Sequence, residues 1–163
     1  MLERISKIGL IAAIAFFFSL VVFDNLTDYA ANFAYVKHVM AMDTIFPDSQ
    51  LKWRAITNPT LHHFFFNSII VCEITIATLC WIGAGQLVGR VRSTAVEFNQ
   101  AKTLVLLGLT LSGLLWLVAF LAVGGEWFLM WQSDEWNGQP IAFQMFTITG
   151  IILLLVRQPD TDL

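Results

Sequence analysis

Charge is what this chain has least of. Asp, Glu, Lys and Arg together make up 13% of its 163 residues, about half the share of an ordinary soluble domain, too few to clothe a soluble surface. Hydrophobic residues reach 57% and mean hydropathy is +0.70, which excludes a soluble enzyme. Cysteine is nearly absent. Cys72 and Cys80 fall on one predicted helix, separated by a rise of about 12 Å, too far for a disulfide. No P-loop, dinucleotide fingerprint or nucleophile elbow occurs, and no segment is of low complexity. Trp53 to Pro59 echoes Trp136 to Pro140 too faintly to make a repeat.

What is present is apolar length. Four runs, Ile5 to Phe23, Leu61 to Val88, Thr103 to Val123 and Pro140 to Val156, approach the roughly 20 helical residues that a bilayer core of about 30 Å requires. The first and last are short, so Lys7 and Arg157 are expected to snorkel to the interface beside them. Nothing of comparable length is left to build a soluble core. The expectation is an all-α membrane protein, a four-transmembrane-helix bundle in a single domain spanning 1–163, with helices near 5–24, 61–88, 102–124 and 139–157. An outer cap is expected from 25–60 and 125–138.

Arg4 and Lys7 before the first run also fit a signal peptide. That run ends in Leu20-Val21-Val22-Phe23-Asp24, without the small residues of a cleavage site, so the reading is an uncleaved first helix. Basic residues set the orientation. Arg4 and Lys7 precede the first helix, Arg90, Arg92 and Lys102 join the second to the third, and Arg157 follows the fourth, whereas Gly124 to Gln139 contains no Lys or Arg. Both termini are therefore expected in the cytoplasm. The first outer connection holds Lys37, Lys52 and Arg54 but is long enough for Asp28, Asp43 and Asp48 to offset them.

That connection has structure of its own. Leu26, Tyr29, Ala30, Phe33, Val36, Lys37 and Met40 fall near a helical period, which predicts an amphipathic helix lying on the outer surface or extending the first helix, with Asp28, Asn32, Tyr35 and His38 on its polar side. Asp43-Thr44 and Asp48-Ser49 supply caps around Pro47, predicting a second short helix over Gln50 to Thr57. Pro59 suits the first turn of the next membrane helix.

Several segments together carry a family resemblance: Asp24-Asn25-Leu26-Thr27-Asp28-Tyr29, Lys37-His38-Val39-Met40-Ala41-Met42-Asp43-Thr44, Lys52-Trp53-Arg54-Ala55-Ile56, His62-His63, Gly124-Gly125-Glu126-Trp127-Phe128-Leu129-Met130-Trp131-Gln132-Ser133 and Trp136-Asn137-Gly138-Gln139. Over nearly its whole length the chain resembles the bacterial family described as predicted small integral membrane proteins of unknown function. The resemblance implies a four-helix inner-membrane protein and supplies no catalytic roles.

Glu73 is the one charge inside the second run. A carboxyl at membrane depth costs several kcal/mol unless it is protonated, paired or facing water, so it is either interhelical glue or a proton-handling or ligand-binding group. Thr110, Gln144 and Thr147 are the expected partners. His62, Phe66, Ile69 and Glu73 share one helical stripe, with His62 about 16 Å from Glu73 along the axis. That stripe allows a water or quinone path from His62 inward to Glu73; the bland alternative for His62 and His63 is an interfacial pair whose polar edges meet headgroups or loops.

The histidines also bear on cofactors. None lies in the first, third or fourth run, which excludes a haem held by two histidines between membrane helices of one chain. His38 with His62 or His63 remains the weak candidate for an outer haem or metal, completed by Asp28, Asp43 or Glu126. No metal motif is matched and no cofactor is predicted.

The Glu126 to Gln139 segment concentrates aromatic and polar residues. Trp127, Phe128, Trp131 and Trp136 read first as an interfacial aromatic belt. Glu126, Gln132, Asp134, Glu135, Asn137 and Gln139 among them also give the composition of a docking surface or capped pocket. Trp53 and Arg54 are expected to pack there, with Arg54 paired to Glu126. Gly9 with Ala13, Gly108 with Ser112, Gly113 and Gly150 are expected at close helix contacts.

Three functional classes follow. The leading expectation is a noncatalytic accessory, assembly or scaffold subunit of an inner-membrane complex, its partners the bilayer, another membrane protein or a second copy, and not nucleic acid. The alternatives are a quinone- or haem-associated redox protein and an oligomeric transporter or channel, the last without the paired broken helices of known transporter folds.

Overall fold

Buried residues spaced three or four apart draw the first long helix onto the second. In the structure, a computed structural model describing residues 1–162, helix α1 runs Leu2–Thr27 and buries Arg4, Lys7, Ile11, Ile14, Phe18 and Asn25. Helix α3, Pro59–Gly89, buries Phe66, Glu73, Ile76, Cys80, Gly83 and Leu87. Both stripes have the spacing of a coiled-coil seam, and the two helices run antiparallel along it.

Beyond α1 the chain turns at Asp28 (φ −119°, ψ 52°) into α2, Tyr29–Ala41. The Asn32 amide donates to the carbonyls of Asp24 and Asp28, both at 3.2 Å, adding a side-chain brace across the break to the backbone bonds those carbonyls already accept. Helix α2 therefore extends α1 along the first half of α3, one of the two expected placements. Tyr35 does not lie on its polar side. It turns inward, its hydroxyl donating to Met130 Sδ at 3.1 Å. The helix expected over Gln50 to Thr57 is reduced to one 3₁₀ turn, Lys52–Arg54.

Helix α4, Ala95–Gln100, was not anticipated. A reciprocal capping box between Thr94 and Glu97 starts it. It leads into α5, Thr103–Leu114, which passes unbroken into a π-helical stretch, Leu115–Trp127, and then a 3₁₀ turn, Met130–Gln132. Helix α6, Gln139–Arg157, returns. Packing runs α1 on α3, α3 on α5, α5 on α6 and α6 back on α1. Among the described residues there are no strands, and four helical stretches are long and apolar enough to cross a membrane: Leu2–Thr27, Pro59–Gly89, Ala95–Trp127 and Gln139–Arg157.

Close contact of α3 and α5 rests on two glycines. A Cβ on Gly83 would collide with Val105, and one on Gly108 would lie 3.0 Å from Cys80 Sγ. Ser112 and Thr149 meet at 3.2 Å between α5 and α6. Gly9, Gly113 and Gly150 have nothing within 4 Å of such a Cβ, so the close contacts expected of them are not made. Gly83, which sequence reasoning passed over, takes that role.

The end of the bundle carrying both termini is locked internally. Lys7 does not snorkel. Its ammonium donates to Asp160 Oδ2 at 2.9 Å and to the Gln158 carbonyl at 3.0 Å. Lys102 contacts the same carboxylate and donates to Asn99 Oδ1 and the Gln158 carbonyl, both at 2.7 Å. Arg4, 1% exposed, donates to the carbonyls of Val91, Ser93 and Thr161 at 2.7–3.1 Å and lies 4.7 Å from the centre of the Phe98 ring. Burial alone would raise the Asp160 carboxyl, but hydrogen bonds and charges from Lys102 and Lys7 outweigh it and hold the group below the usual carboxylate range. This closed lattice defines the terminal face. The opposite end, built from α2 and the 42–58 and 128–138 segments, is the cap face.

Candidate functional site

Two hydrophobic clusters stack along the bundle, one among the membrane helices and one under the cap. Where they meet, the packing leaves a chamber of about 230 Å³. The seam of α1 and α3 brings Asn25 to Glu73, and Asn25 Nδ2 donates to Glu73 Oε2 at 2.8 Å. The expected partners are elsewhere. Thr110 and Gln144 are exposed, and the Thr147 hydroxyl donates to the Phe143 carbonyl of its own helix.

Glu73 is 2% exposed. Among the described residues no ion pair reaches it and its other oxygen accepts no hydrogen bond. It sits about 24 Å along α3 from Gly89, while the same chamber is lined by Gly138 and Ile141 at the start of α6. With α6 rising about 27 Å in all, Glu73 belongs to the cap-side part of the membrane region rather than its middle.

The remaining wall is aromatic and amide. Tyr35, Phe66, Trp116 and Phe120 line the chamber with Asn32. Trp116 is 7% exposed and its indole N–H has no hydrogen-bond partner. A buried unpaired donor loses the full hydration of its N–H, about 1–3 kcal/mol. Tyr35 contacts Gly138, where a Cβ would strike its hydroxyl. Burial pushes the Tyr35 phenol up to about 12, against a smaller lowering by the Gly138 backbone.

Beside the chamber, sharing Tyr35, Val36, Ile69 and Phe120 as a common wall, lies an apolar wedge of about 570 Å³ between α3 and the π-helical stretch. The two helices are tight at Gly83 and Gly108 and part toward the cap. Trp127 and Phe128 line the wedge there.

The histidines do not assemble. His62 is buried, with Nε2 2.6 Å from the Ile56 carbonyl, so that nitrogen carries the proton. His63 Nδ1 meets the Tyr29 hydroxyl at 2.8 Å and its ring stacks on Phe33, centroids 4.1 Å apart. His38 pairs with Asp43 at 2.7 Å and stacks on Trp136 at 4.8 Å. Among the described residues no three His, Cys, Asp or Glu side chains come together as a metal site. The predicted stripe does hold, since His62, Phe66 and Glu73 are all buried on one face of α3.

On the cap, Arg54 is not paired with Glu126. Its guanidinium lies 4.7 Å from the Trp127 ring and 5.6 Å from that of Trp53, and donates to the Trp127 carbonyl at 3.4 Å. Exposed Glu126 instead lines a surface groove with Asn137. Trp131 meets Phe46 edge-on at 5.9 Å, and Gln132 Oε1 accepts from the Phe46 backbone at 3.2 Å. Asn137 Oδ1 accepts from the Gln139 N–H at 3.1 Å, ahead of α6.

Asn25 and Trp116 were missed as site residues, although each leaves a trace. Asn25 continues the stripe 4, 7, 11, 14, 18 of α1, and Trp116 is the one tryptophan of the third apolar run. No curated protein and no solved structure matches the chain. A family model covers residues 3–159, and with that coverage the chain belongs to the family described as predicted small integral membrane protein (DUF2165).

Proposed function

We propose that this protein is a noncatalytic accessory, assembly or scaffold subunit of a bacterial inner-membrane complex, with both termini in the cytoplasm and its cap face docking on a membrane-protein partner. The observation that carries the reading is the uneven use of side chains at the two ends. On the terminal face Arg4, Lys7 and Lys102 are consumed within the chain and the exposed groups are the charges of Arg90, Arg92 and Arg157, whereas the cap exposes large aromatics, Trp53 72%, Phe46 52% and Trp131 44%. Large aromatics ringed by polar groups are the composition of interface anchors. Arg90, Arg92 and Arg157 near the termini support the orientation.

The test is crosslinking and co-purification from native membranes, comparing wild type with a Trp53→Ser/Trp131→Ser double variant. A stoichiometric partner is expected with wild type and is expected to be lost in the variant, which stays folded with a stability loss of no more than about 1–2 kcal/mol from its contacts to Phe46, Arg54 and Trp127. Recovery of wild type always alone would sink the reading.

The apolar wedge favours a second reading, a membrane-borne lipophilic ligand such as a quinone. Solvent extraction of protein purified in mild detergent, with an absorption spectrum, tests it. Intact protein without extractable chromophore removes the redox version.

A further inference from the structure

We infer that the chamber beneath the cap is a binding site for a small organic ammonium that also carries an acceptor oxygen. Three observations converge. First, Glu73 is a buried carboxyl with one oxygen held by Asn25 and no cationic partner among the described residues. A carboxylate in that position is strongly disfavoured unless a cation is brought to it. Second, Tyr35, Phe66, Trp116 and Phe120 line the same space, and an aromatic enclosure is how proteins hold quaternary ammonium groups, each ring face attracting the cation. Third, the Trp116 indole N–H is buried without an acceptor. The ligand's oxygen supplies one.

Size narrows the class. About 230 Å³ lies below the range of pockets for drug-sized molecules, roughly 300–1,000 Å³. An amino alcohol or its quaternary form fits that description. The shared wall with the apolar wedge admits two sources of the same chemistry, a free amine or the headgroup of a lipid whose chains occupy the wedge. This inference stands apart from the cap-docking proposal. It concerns the interior and survives if no protein partner is found.

Glu73 and Asn25 also join α1 to α3, and a purely structural pair would account for their burial. It would not account for an aromatic-lined space beside an unpaired indole N–H. The experiment separates the two.

Full-length protein in phosphatidylglycerol nanodiscs is titrated with choline, with tetramethylammonium and with the neutral tert-butyl analogue of choline, in which carbon replaces nitrogen. Calorimetry and tryptophan fluorescence provide the readouts. Saturable binding of both cations and none of the carbon analogue is expected. Glu73→Gln is expected to weaken both cations about thirtyfold or more, the equivalent of about 2 kcal/mol for removing one partner of a buried charged contact. Trp116→Phe keeps a ring but removes the donor, so choline should weaken about tenfold and tetramethylammonium, which has no oxygen, should not change.

At equal surface charge, in nanodiscs of phosphatidylcholine compared with an uncharged glycosyl diacylglycerol, the apparent affinity for free choline is weaker in phosphatidylcholine if the lipid headgroup is the occupant, and the same in both if a free amine is. Absence of saturable binding of either cation by wild type overturns the inference. So does equal binding of the carbon analogue, or an unchanged affinity in folded Glu73→Gln. Should Glu73→Gln fail to fold, the cation against its carbon analogue on wild type still decides.

Discussion

The two ends of this bundle solve the same problem by opposite means. At the terminal face, charged groups are drawn under the surface and neutralise one another around Asp160, with Lys7, Lys102 and Asp160 each at most 5% exposed. At the cap face the ionisable rings and the guanidinium lie against aromatic rings, His38 on Trp136, His63 on Phe33 and Arg54 on Trp127, and their polar atoms meet single local partners, Asp43, the Tyr29 hydroxyl and the Trp127 carbonyl. Ionic closure is stiff, and outside it this face offers the exposed charges of Arg90, Arg92 and Arg157 rather than aromatic surface. Aromatic stacking leaves ring faces and edges in the open, and beneath it the packing is loose enough to hold both cavities.

The most damaging way to break this contrast is Asp160→Ala. It leaves Lys7 and Lys102 facing each other in a buried position with only exposed Glu3, 3.4 Å from Lys7, as counter-charge, and breaking such a network costs about 3–5 kcal/mol. Thermal unfolding in detergent measures it. A loss under about 1 kcal/mol would class these contacts with ordinary surface ion pairs. The pH dependence has a definite sign. The Asp160 carboxyl is held below the usual range in the folded protein, so its contribution is complete above the ordinary Asp pKa of about 3.9 and is lost as pH falls through that value toward the lower folded one. Wild type should lose stability on acidification below about pH 4, and Asp160→Asn should lack that component.

Next in size is Gly83→Ala, which tests whether the bundle is tight toward the terminal face and loose toward the cap. The new methyl group meets Val105 Cγ2 and lies 3.1 Å from the Val105 backbone nitrogen, so the helices must part, at about 1–3 kcal/mol. Gly9→Ala meets nothing within 4 Å and should be neutral or stabilising by up to about 1 kcal/mol, because alanine is the better helix former. Equal effects at the two positions would contradict the close approach of α3 and α5.

The terminal lattice shows where sequence reading stops. Run lengths and hydropathy disclose the four spans, and the period of Leu26 to Met40 discloses α2, because both signals are local. Asp160 follows the last apolar run in what reads as a tail, and its pairing with Lys7 spans nearly the whole chain. Lys7 alone looks like a snorkelling residue. Glu73 stood out as a lone charge in an apolar run, but its partner Asn25 is polar, uncharged and near the end of a helix, so only extending the α1 stripe would have found it. The chamber was illegible for a different reason. It is empty space, and depends on how α2 and the π-helical stretch pack over the bundle.

A smaller effect tests the packing under the cap. Tyr35→Phe removes a hydroxyl held by Met130 and Gly138 and should cost about 0.5–1.5 kcal/mol. Because burial moves the Tyr35 phenol from 10.0 to about 12, the unfolded chain ionises first as pH rises. The advantage of keeping the phenol neutral is complete below pH 10, where the phenol is neutral in both states, and is lost as pH rises toward 12. Phenolate absorbance should show one tyrosine titrating near 12 in wild type and none there in Tyr35→Phe. Titration of that tyrosine near 10 would mean the cap admits water to it.

The smallest expected effect bears most directly on the contrast between the ends. Arg54→Lys keeps the charge but replaces a planar guanidinium, 4.7 Å from the Trp127 ring, with a compact ammonium that stacks less well. An exposed cation–π contact contributes about 0.5–1 kcal/mol, so stability should fall by less than that, while the tryptophan emission shifts as Trp127 and Trp53 loosen. Arg54→Ala should cost little more, since no carboxylate is left behind without its partner. This separates the two faces in kind: removing one charge from the terminal lattice leaves two cations buried together, whereas removing Arg54 only uncovers aromatic surface that is already half exposed. If Arg54→Ala proved as costly as Asp160→Ala, the cap would be a second structural lock, and its exposed rings would have no freedom to serve as a docking surface.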